Sequence, residues 1–461
     1  MGTDRKGRKE DAAGAAGSRH EDKEEAVKRT RDTSSRSRAA GWLIVASLAL
    51  ATPALARAGE DAVGPEPMPT PTPAATAQDS TAPAEPGPRM DIYGAAMLDM
   101  GYQSGQNDPN WFDVVRPTKL PAYENEYGED GRYFAGVRQS RLGVKGYAPT
   151  KLGELKTIFE FELFGVGADA GQTTFRLRHA WGELGQIGAG QTWSPFMDPD
   201  VFPNSIEYWG PNAMVFFRNV QFRWTPWQDG DSNFMVALER PGASGDRGRY
   251  DDAIPLQGIQ ARFPLPDLSA HFRYAKGWGH VQVAGIVRRI QWDDLKTDDE
   301  FDFSGKATGW GINLSSNIKL QKHVARLQLV YGEGIENYMN DATVDIGVVD
   351  NFQNPVTPLL GKTLPILGIV AFLDLNWNER WTSTVGYSYM DIDNTDAMDA
   401  ASFKTGQYAL ANVLYHPTPG LFLGPEVQWG KRENFRDGFS SDDVRIQFSA
   451  KYNFSYSLGG K

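Results

Sequence analysis

Apolar and polar residues alternate along most of the chain after residue 89. From Val444 to Phe454 every second residue is apolar and those between are polar, and the same pattern runs through LKTIFEFELFG at 155–165 and VQFRWT at 220–225. A period of two predicts β-strands rather than helices. We predict about sixteen strands of roughly ten residues, the length typical of membrane barrels. They begin near residues 90, 136, 154, 174, 187, 214, 232, 256, 278, 307, 323, 364, 381, 404, 421 and 442.

Short turns such as APTKLGE, PWQDGD, NWNER and HPTPG alternate with longer connections between these segments. The long connections are 104–132, 195–212, 241–255, 293–304, 334–361 and 391–402. Short turns on one rim and long loops on the other are typical of outer-membrane barrels. Aromatic residues near the strand ends fit interfacial girdles. They are Trp181, Trp193, Trp224, Trp278, Trp381, Trp429, Tyr452 and Phe454.

These patterns predict an all-β fold, a transmembrane antiparallel β-barrel over residues 90–461 whose apolar stripe faces lipid. A soluble sandwich or propeller is the alternative architecture. A propeller would show repeats of about 40–50 residues, and a sandwich would bury its apolar face on shorter strands. The sequence contains no such repeat.

The N-terminus predicts export. Within a leader at residues 1–58, a basic region precedes the apolar stretch AAGWLIVASLALATPALA and the small-residue site Ala54-Leu55-Ala56. We expect a signal peptide cleaved after Ala56 or Ala58. A membrane anchor is the alternative, although the stretch is short of the roughly 20 residues that span a bilayer. Residues 59–89 are rich in Pro, Ala and Thr and predict a disordered linker. The expected location is the outer membrane of a Gram-negative cell.

Composition narrows the class further. The 461 residues have a mean hydropathy of -0.46, too polar for a bundle of membrane helices, and no Cys for disulfides or thiolate metal sites. The net charge is -11, but residues 1–58 hold 12 Lys and Arg against 8 Asp and Glu, so the remainder carries 35 against 50. This acidic body argues against nucleic acid as a partner.

Inward positions of a barrel line its lumen, so charges on the polar faces predict the electrostatic wall. Guanidinium groups fit carboxylates bidentately, which favours organic anions as solutes. In the alternative, each Arg only solvates the lumen and pairs with an acid. The candidate pore-lining residues are Arg141, Lys145, Arg176, Arg178, Arg223, Arg432, Arg445, Glu160, Glu162 and Glu426.

The segment SPFMDPDVFPNSIEYWGPN, residues 194–212, joins two predicted strands without forming a hairpin. Its Pro residues stiffen it. We predict that it folds into the lumen as a constriction loop; capping the outside is the alternative. Its candidate residues are Asp198, Asp200, Glu207, Tyr208 and Trp209.

Enzymatic signals are weak. The six His residues are scattered without an H-E-x-x-H pair, and DIDNTDAMD at 391–399 has Asp396 where a calcium loop needs Gly. We therefore predict no catalytic residues, no metal and no cofactor. A barrel-embedded outer-membrane enzyme is the less favoured alternative.

Several runs together resemble the DcaP-like outer-membrane porins, from residue 90 to 454. They are LDMGYQSGQNDPNWFDVVRPTKLPAYENEYGEDG, RQSRLGVKG, LRHAWGELGQIGAGQTWSPFMD, PNSIEYWGPNAMVFFRNVQFRW and LGPEVQWGKRENF. The resemblance implies a sixteen-stranded barrel embedded in outer-membrane lipid and assembled as a homotrimer. It also implies passage of small organic anions such as dicarboxylates. A general, non-selective porin is the alternative function.

Overall fold

The computed structural model describes residues 87–296 and 300–459. Within these ranges no helix is long and apolar enough to cross a membrane. The strands are β1 Arg89–Gln103, β2 Arg132–Gly136, β3 Arg141–Thr150, β4 Gly153–Phe164, β5 Thr173–Leu184, β6 Ile187–Trp193, β7 Arg218–Asp229, β8 Ser232–Glu239, β9 Gly245–Asp246, β10 Ile259–Arg262, β11 Asp267–Lys276, β12 Gly279–Asp294, β13 Gly305–Leu320, β14 His323–Glu333, β15 Ile346–Asp350, β16 Leu359–Thr363, β17 Pro365–Asn378, β18 Trp381–Ile392, β19 Phe403–Asn412, β20 Leu414–Thr418, β21 Leu421–Asn434 and β22 Ser440–Gly459. Short 3₁₀ helices lie in the connections, at Pro109–Trp111, Pro117–Lys119, Gly167–Asp169, Pro199–Val201, Gly248–Tyr250, Ile254–Gly258 and Glu336–Tyr338.

Nineteen of these strands form one antiparallel sheet. In three places two consecutive strands lie in line against one neighbour: β2 and β3 on β1, β10 and β11 on β12, and β19 and β20 on β21. Sixteen positions around the barrel result, which confirms the predicted class and strand number. The break between β10 and β11 contains Pro264 and Pro266, which have no N–H to donate to a ladder.

The barrel closes between its first and last strands. β1 and β22 pair without interruption from Arg89 with Gly459 to Gln103 with Arg445. Closure leaves no sheet edge unpaired, which a membrane requires. On β22 the apolar stripe points outward, with Ile446 57% exposed, whereas Gln447 and Ser449 are buried on the lumen side.

The two rims differ as predicted. Turns of two residues join strands at one rim, as between β3 and β4 or between β13 and β14. At the other rim eight longer loops, numbered in chain order, connect consecutive strands. They are loop 1 (104–131), loop 2 (165–172), loop 3 (194–217), loop 4 (240–258), loop 5 (295–304), loop 6 (334–364), loop 7 (393–402) and loop 8 (435–439). In loops 4 and 6, β15 pairs antiparallel with β16 and parallel with β9, forming a small separate sheet.

The girdle prediction was wrong for two residues. Trp224, Trp278 and Trp381 are exposed on the barrel exterior, but Trp181 is buried and lies under the guanidinium of Arg223. Trp193 instead packs beside Arg218. A β-bulge in β5, where Glu160 pairs with His179 but Phe161 with Leu177, reverses the faces of the residues that follow it.

The leader predicted at 1–58 lies outside the described residues, and so does the linker up to residue 86. Arg89, at the predicted end of the linker, already begins β1, one residue before the predicted barrel start.

Candidate functional site in the barrel lumen

Loop 3 folds into the lumen, as predicted for the constriction loop. Its backbone carbonyls accept hydrogen bonds from inward side chains on three strands. Asn313 Nδ2 of β13 lies 2.9 Å from Phe196 O, Gln282 Nε2 of β12 lies 3.1 Å from Met197 O, and Asn412 Nδ2 of β19 lies 2.8 Å from Asn204 O. These contacts span much of the barrel wall, so the loop is fixed across the lumen.

Asp198 and Asp200 anchor loop 3 to the wall. The Asp198 carboxylate is fully buried and accepts hydrogen bonds from Arg273 Nη1 at 3.2 Å, His280 Nε2 at 2.7 Å and Ser315 Oγ at 2.6 Å. Arg273 Nη2 donates to Asp200 as well. Both carboxylates therefore face the strands rather than an open passage.

Asp198, Asp200 and His280 offer ligand atoms within 4.8 Å of one another, the spacing of a metal site. Arg273 donates to both carboxylates, so a cation placed between them would lie against a guanidinium. Arg273 therefore already neutralises one of the two negative charges of the acid pair. The absence of a metal or cofactor stays a prediction.

A second anchor holds the tip of loop 3. Glu426 on β21 accepts the backbone N–H of Ile206 at 2.9 Å and of Glu207 at 3.1 Å. Within the described ranges no ion pair involves Glu426, so the alternative in which lumen arginines only pair with acids does not apply to this residue. Glu207 in turn accepts the N–H of Val115 at 3.1 Å and the Tyr408 hydroxyl at 3.2 Å, which ties loop 1 to loop 3.

Two glutamates on β4, Glu160 and Glu162, lie among four arginine side chains in the lumen. Arg178 donates to Glu160 Oε1 and to Glu162 Oε2, both at 2.6 Å. Arg141 lies 3.5 Å from both carboxylates, Arg176 lies 3.6 Å from Glu162, and Arg218 lies 3.7 Å from it. The arginine cluster consists of Arg141, Arg176, Arg178, Arg218, Glu160 and Glu162.

Tyrosines from two directions close the arginine cluster. Tyr93 on β1 donates its hydroxyl to Glu160 at 2.7 Å. Tyr208 in loop 3 donates to Glu162, and its ring stacks on Phe164 with centroids 3.9 Å apart. The tip of the constriction loop is thereby fixed against the charged wall.

Alternation along β7 does not identify Arg218 as a lumen residue. Alternation in β7 would put it on the same outward face as Val220, yet its side chain is only 5% exposed and points to Glu162. Arg218 pairs with Trp193 at the ends of β7 and β6, where the chain turns into loop 3. Its position beside the constriction loop is the one sequence signal that could have found it.

Members of the arginine cluster differ in access. The side chains of Arg141 and Arg176 are 30% and 27% exposed, whereas those of Arg178 and Arg218 are each 5% exposed. Arg176 also borders a cavity of 180 Å³ between loops 3 and 6. The other lining residues are Tyr208, Trp209, Phe216, Phe217, Asn337, Met339 and Asn340.

The remaining predicted cations lie elsewhere. Arg223 stacks on Trp181 at 4.4 Å near the short-turn rim, and Lys145 Nζ lies 4.9 Å from the Tyr93 ring. Arg432 donates to the carbonyls of Thr118 and Ala401 in loops 1 and 7, and Arg445 is buried against Phe134. These four cations therefore lie outside the arginine cluster.

A closed sixteen-stranded barrel with a loop folded into its lumen defines a porin-type channel of the outer membrane. The chain belongs to the DcaP outer membrane protein family, whose model matches residues 123–454. No curated protein matches the sequence.

The chain is similar to several solved structures. The outer membrane channel DcaP of Acinetobacter baumannii is 22% identical, with a TM-score of 0.64 over 80% of this chain and 98% of that one. An anion-selective porin from Comamonas acidovorans is 11% identical, with a TM-score of 0.50 over 80% and 100%. OmpT of Vibrio cholerae is 12% identical, with a TM-score of 0.48 over 82% and 99%.

Proposed function

We propose that this outer-membrane channel prefers small organic anions and favours dicarboxylates. The observation that carries the proposal is the arginine cluster beside the cavity, where four guanidinium groups meet two carboxylates. Arginine stays protonated in proteins. An excess of positive charge in a narrow, partly desolvated passage attracts anions and repels cations.

The acidic charge of the whole chain does not oppose this preference. Much of the acid lies in long loops, in YENEYGED, DDLKTDDEFD and DIDNTDAMD. Salt screens exposed charges beyond about 8–10 Å. A solute in the lumen therefore responds mainly to the wall nearest it, which is the arginine cluster.

Two accessible guanidiniums support the choice of dicarboxylates. Arg141 and Arg176 are the more exposed members of the cluster, and both approach Glu162. A solute with two carboxylates can bind both at once, which strengthens the second contact through its raised effective concentration. We assign Arg178 a positioning role, because it donates to both glutamates and is nearly inaccessible.

Planar-bilayer recordings test the proposal. In a potassium chloride gradient the reversal potential should lie toward that of chloride, and succinate should reduce the chloride current at lower concentration than acetate. Equal permeability of both ions with no difference between the two acids would instead indicate the general, non-selective porin.

We also propose three copies per assembly, supported by the resemblance to the DcaP-like porins. Closure of the current in three equal steps is the expected record, whereas single-step closure would contradict a trimer.

An ester-hydrolysis assay on the same preparation should stay at background, which separates the channel from a barrel-embedded enzyme. N-terminal sequencing of the membrane form should begin at Arg57 or Gly59.

A further inference from the structure

Arg218 is the least compensated member of the arginine cluster. Arg178 has two carboxylate contacts at 2.6 Å, and Arg141 and Arg176 are about one third exposed to the lumen. Arg218 is 5% exposed, and its carboxylate contact, 3.7 Å from Glu162, is longer than a hydrogen bond. A buried charge without close compensation is costly, so a counter-ion is favoured there.

Unused polar atoms surround this guanidinium. In residues 87–296 and 300–459, the buried Nη1 of Arg218, Nε1 of Trp193 and Nε2 of His179 have no hydrogen-bond partner. The Arg218 guanidinium lies 4.8 Å from the Trp193 ring centroid, which lies 5.2 Å from that of His179. Buried donors normally have partners. Arg218 Nη1 and Trp193 Nε1, two buried N–H donors without an acceptor, therefore lie on neighbouring side chains, and one of them belongs to a charged guanidinium.

We infer that Arg218 and Trp193 form a discrete binding site for one anionic group, either a halide ion or one carboxylate of a passing solute. This inference rests on the proposed anion preference and deepens it. An indole N–H and a guanidinium can only donate, so the site excludes cations and gives neutral hydroxyl compounds no charge to pair with.

The Arg218–Trp193 site lies next to the cavity that Arg176 borders, and the ring of Phe216 touches both. Phe216 lines the cavity together with Arg176, and its centroid lies 5.7 Å from the Arg218 guanidinium. An anion attracted to Arg176 therefore has a second, more enclosed position beside it. Occupation of a fixed site makes flux saturable, because each ion must leave before the next one binds.

The test compares two arginines of the same strand. Arg218→Gln removes the proposed site, whereas Arg223→Gln removes a β7 arginine that lies against Trp181 and Glu183. Single-channel current is measured against potassium chloride concentration, and then with succinate added at constant chloride. Heat-modifiable gel mobility checks that each variant is a folded barrel.

For the wild type and Arg223→Gln we expect one of two results. Either the single-channel current reaches a plateau as the chloride concentration rises, or added succinate blocks the chloride current. In Arg218→Gln the saturation should disappear and the block should weaken about tenfold or more, as for the loss of a charged hydrogen bond. Saturation with chloride alone identifies a halide in the site, and saturable block by succinate alone identifies a carboxylate; both support the inference.

Trp193→Phe keeps an aromatic side chain beside Arg218 and removes the Nε1 donor, so it tests the site even if Arg218→Gln fails to fold. It should weaken saturation or block in the same direction but less. The inference would be overturned if saturation and block were unchanged in Trp193→Phe or in a folded Arg218→Gln. The reversal potential would still measure the anion preference separately. A cation-selective wild type would instead contradict the proposed function.

Discussion

Arg116 of loop 1 donates a hydrogen bond from Nε to Oδ1 of Asp341 in loop 6, over 2.7 Å. The two side chains are 11% and 0% exposed. The Arg116 guanidinium lies 4.1 Å from the ring of Trp111 and 4.2 Å from that of Trp209 in loop 3. One buried ion pair therefore connects three loops at the mouth of the lumen.

Removing this pair should loosen loop 1. Breaking a buried ion pair by neutralising one partner costs about 3–5 kcal/mol, so Asp341→Asn should leave the Arg116 charge unpaired and raise the population of undocked loop 1. Trypsin cleavage after Lys119, in the same loop, measures this change and should become much faster. Asp251→Asn, in an exposed pair with Arg247, is the control and should leave the rate unchanged. Equal cleavage of both variants would show that the ion pair does not hold the loop.

Glu426 should determine how firmly loop 3 stays docked. Glu426→Ala removes the acceptor of two buried backbone N–H groups, at Ile206 and Glu207. Each lost hydrogen bond to a charged group costs about 1.5–3 kcal/mol. We expect higher conductance and more open-channel noise as the loop leaves the lumen. Glu183→Gln changes an acid near the other rim that pairs with Arg223, and its conductance should match the wild type. A quiet Glu426→Ala channel of normal conductance would contradict this role.

Much of the fold could be predicted from the sequence because each strand repeats one physical requirement. An outward face against lipid must be apolar, so stripes such as Val444 to Phe454 recur at a period of two. The predicted strand starts near 187, 232, 323, 381 and 421 coincide with the observed ones. The start predicted near 214 falls four residues early, because 213–217 belong to loop 3.

The site was less predictable because it depends on local irregularity and on contacts distant in sequence. A bulge puts both Arg178 and His179 on the lumen side, which alternation forbids. Glu426 accepts hydrogen bonds from backbone N–H groups about 220 positions earlier in the chain. Alternation within a strand cannot predict such long-range contacts. Arg141, Arg176, Glu160 and Glu162 follow the alternation of β3, β4 and β5, so the sequence pattern alone places them on the polar face, whereas Arg178 lies in the bulge itself.

Arg176 and Arg178 should give different phenotypes although they are two residues apart. Arg176→Gln removes a partly exposed charge that borders the cavity, so the barrel should assemble normally and anion selectivity should fall. Arg178→Gln leaves Glu160 and Glu162 without their closest cation, at a cost of about 3–5 kcal/mol, and should lower the thermal stability of the folded form. Reversal potential and gel mobility measured on both variants separate the roles. Identical behaviour of the two variants would contradict the division into a solute-contacting and a positioning arginine.

The closing strand gives a depth-dependent prediction. Ile446 is outward and pairs with Val427, the middle of β21, whereas Tyr452 on the same face pairs with Leu421, the first residue of β21. A charge on the lipid face costs about 2–4 kcal/mol at the bilayer midplane for Arg and about 0–1 kcal/mol near the interfaces. Ile446→Arg should therefore reduce the heat-modifiable folded form strongly, and Tyr452→Arg should reduce it little. The two variants add the same charge to the same strand at different distances from the short turn that precedes β21. Equal loss in both would show that depth does not set the cost, and no loss in either would place this face of β22 away from lipid.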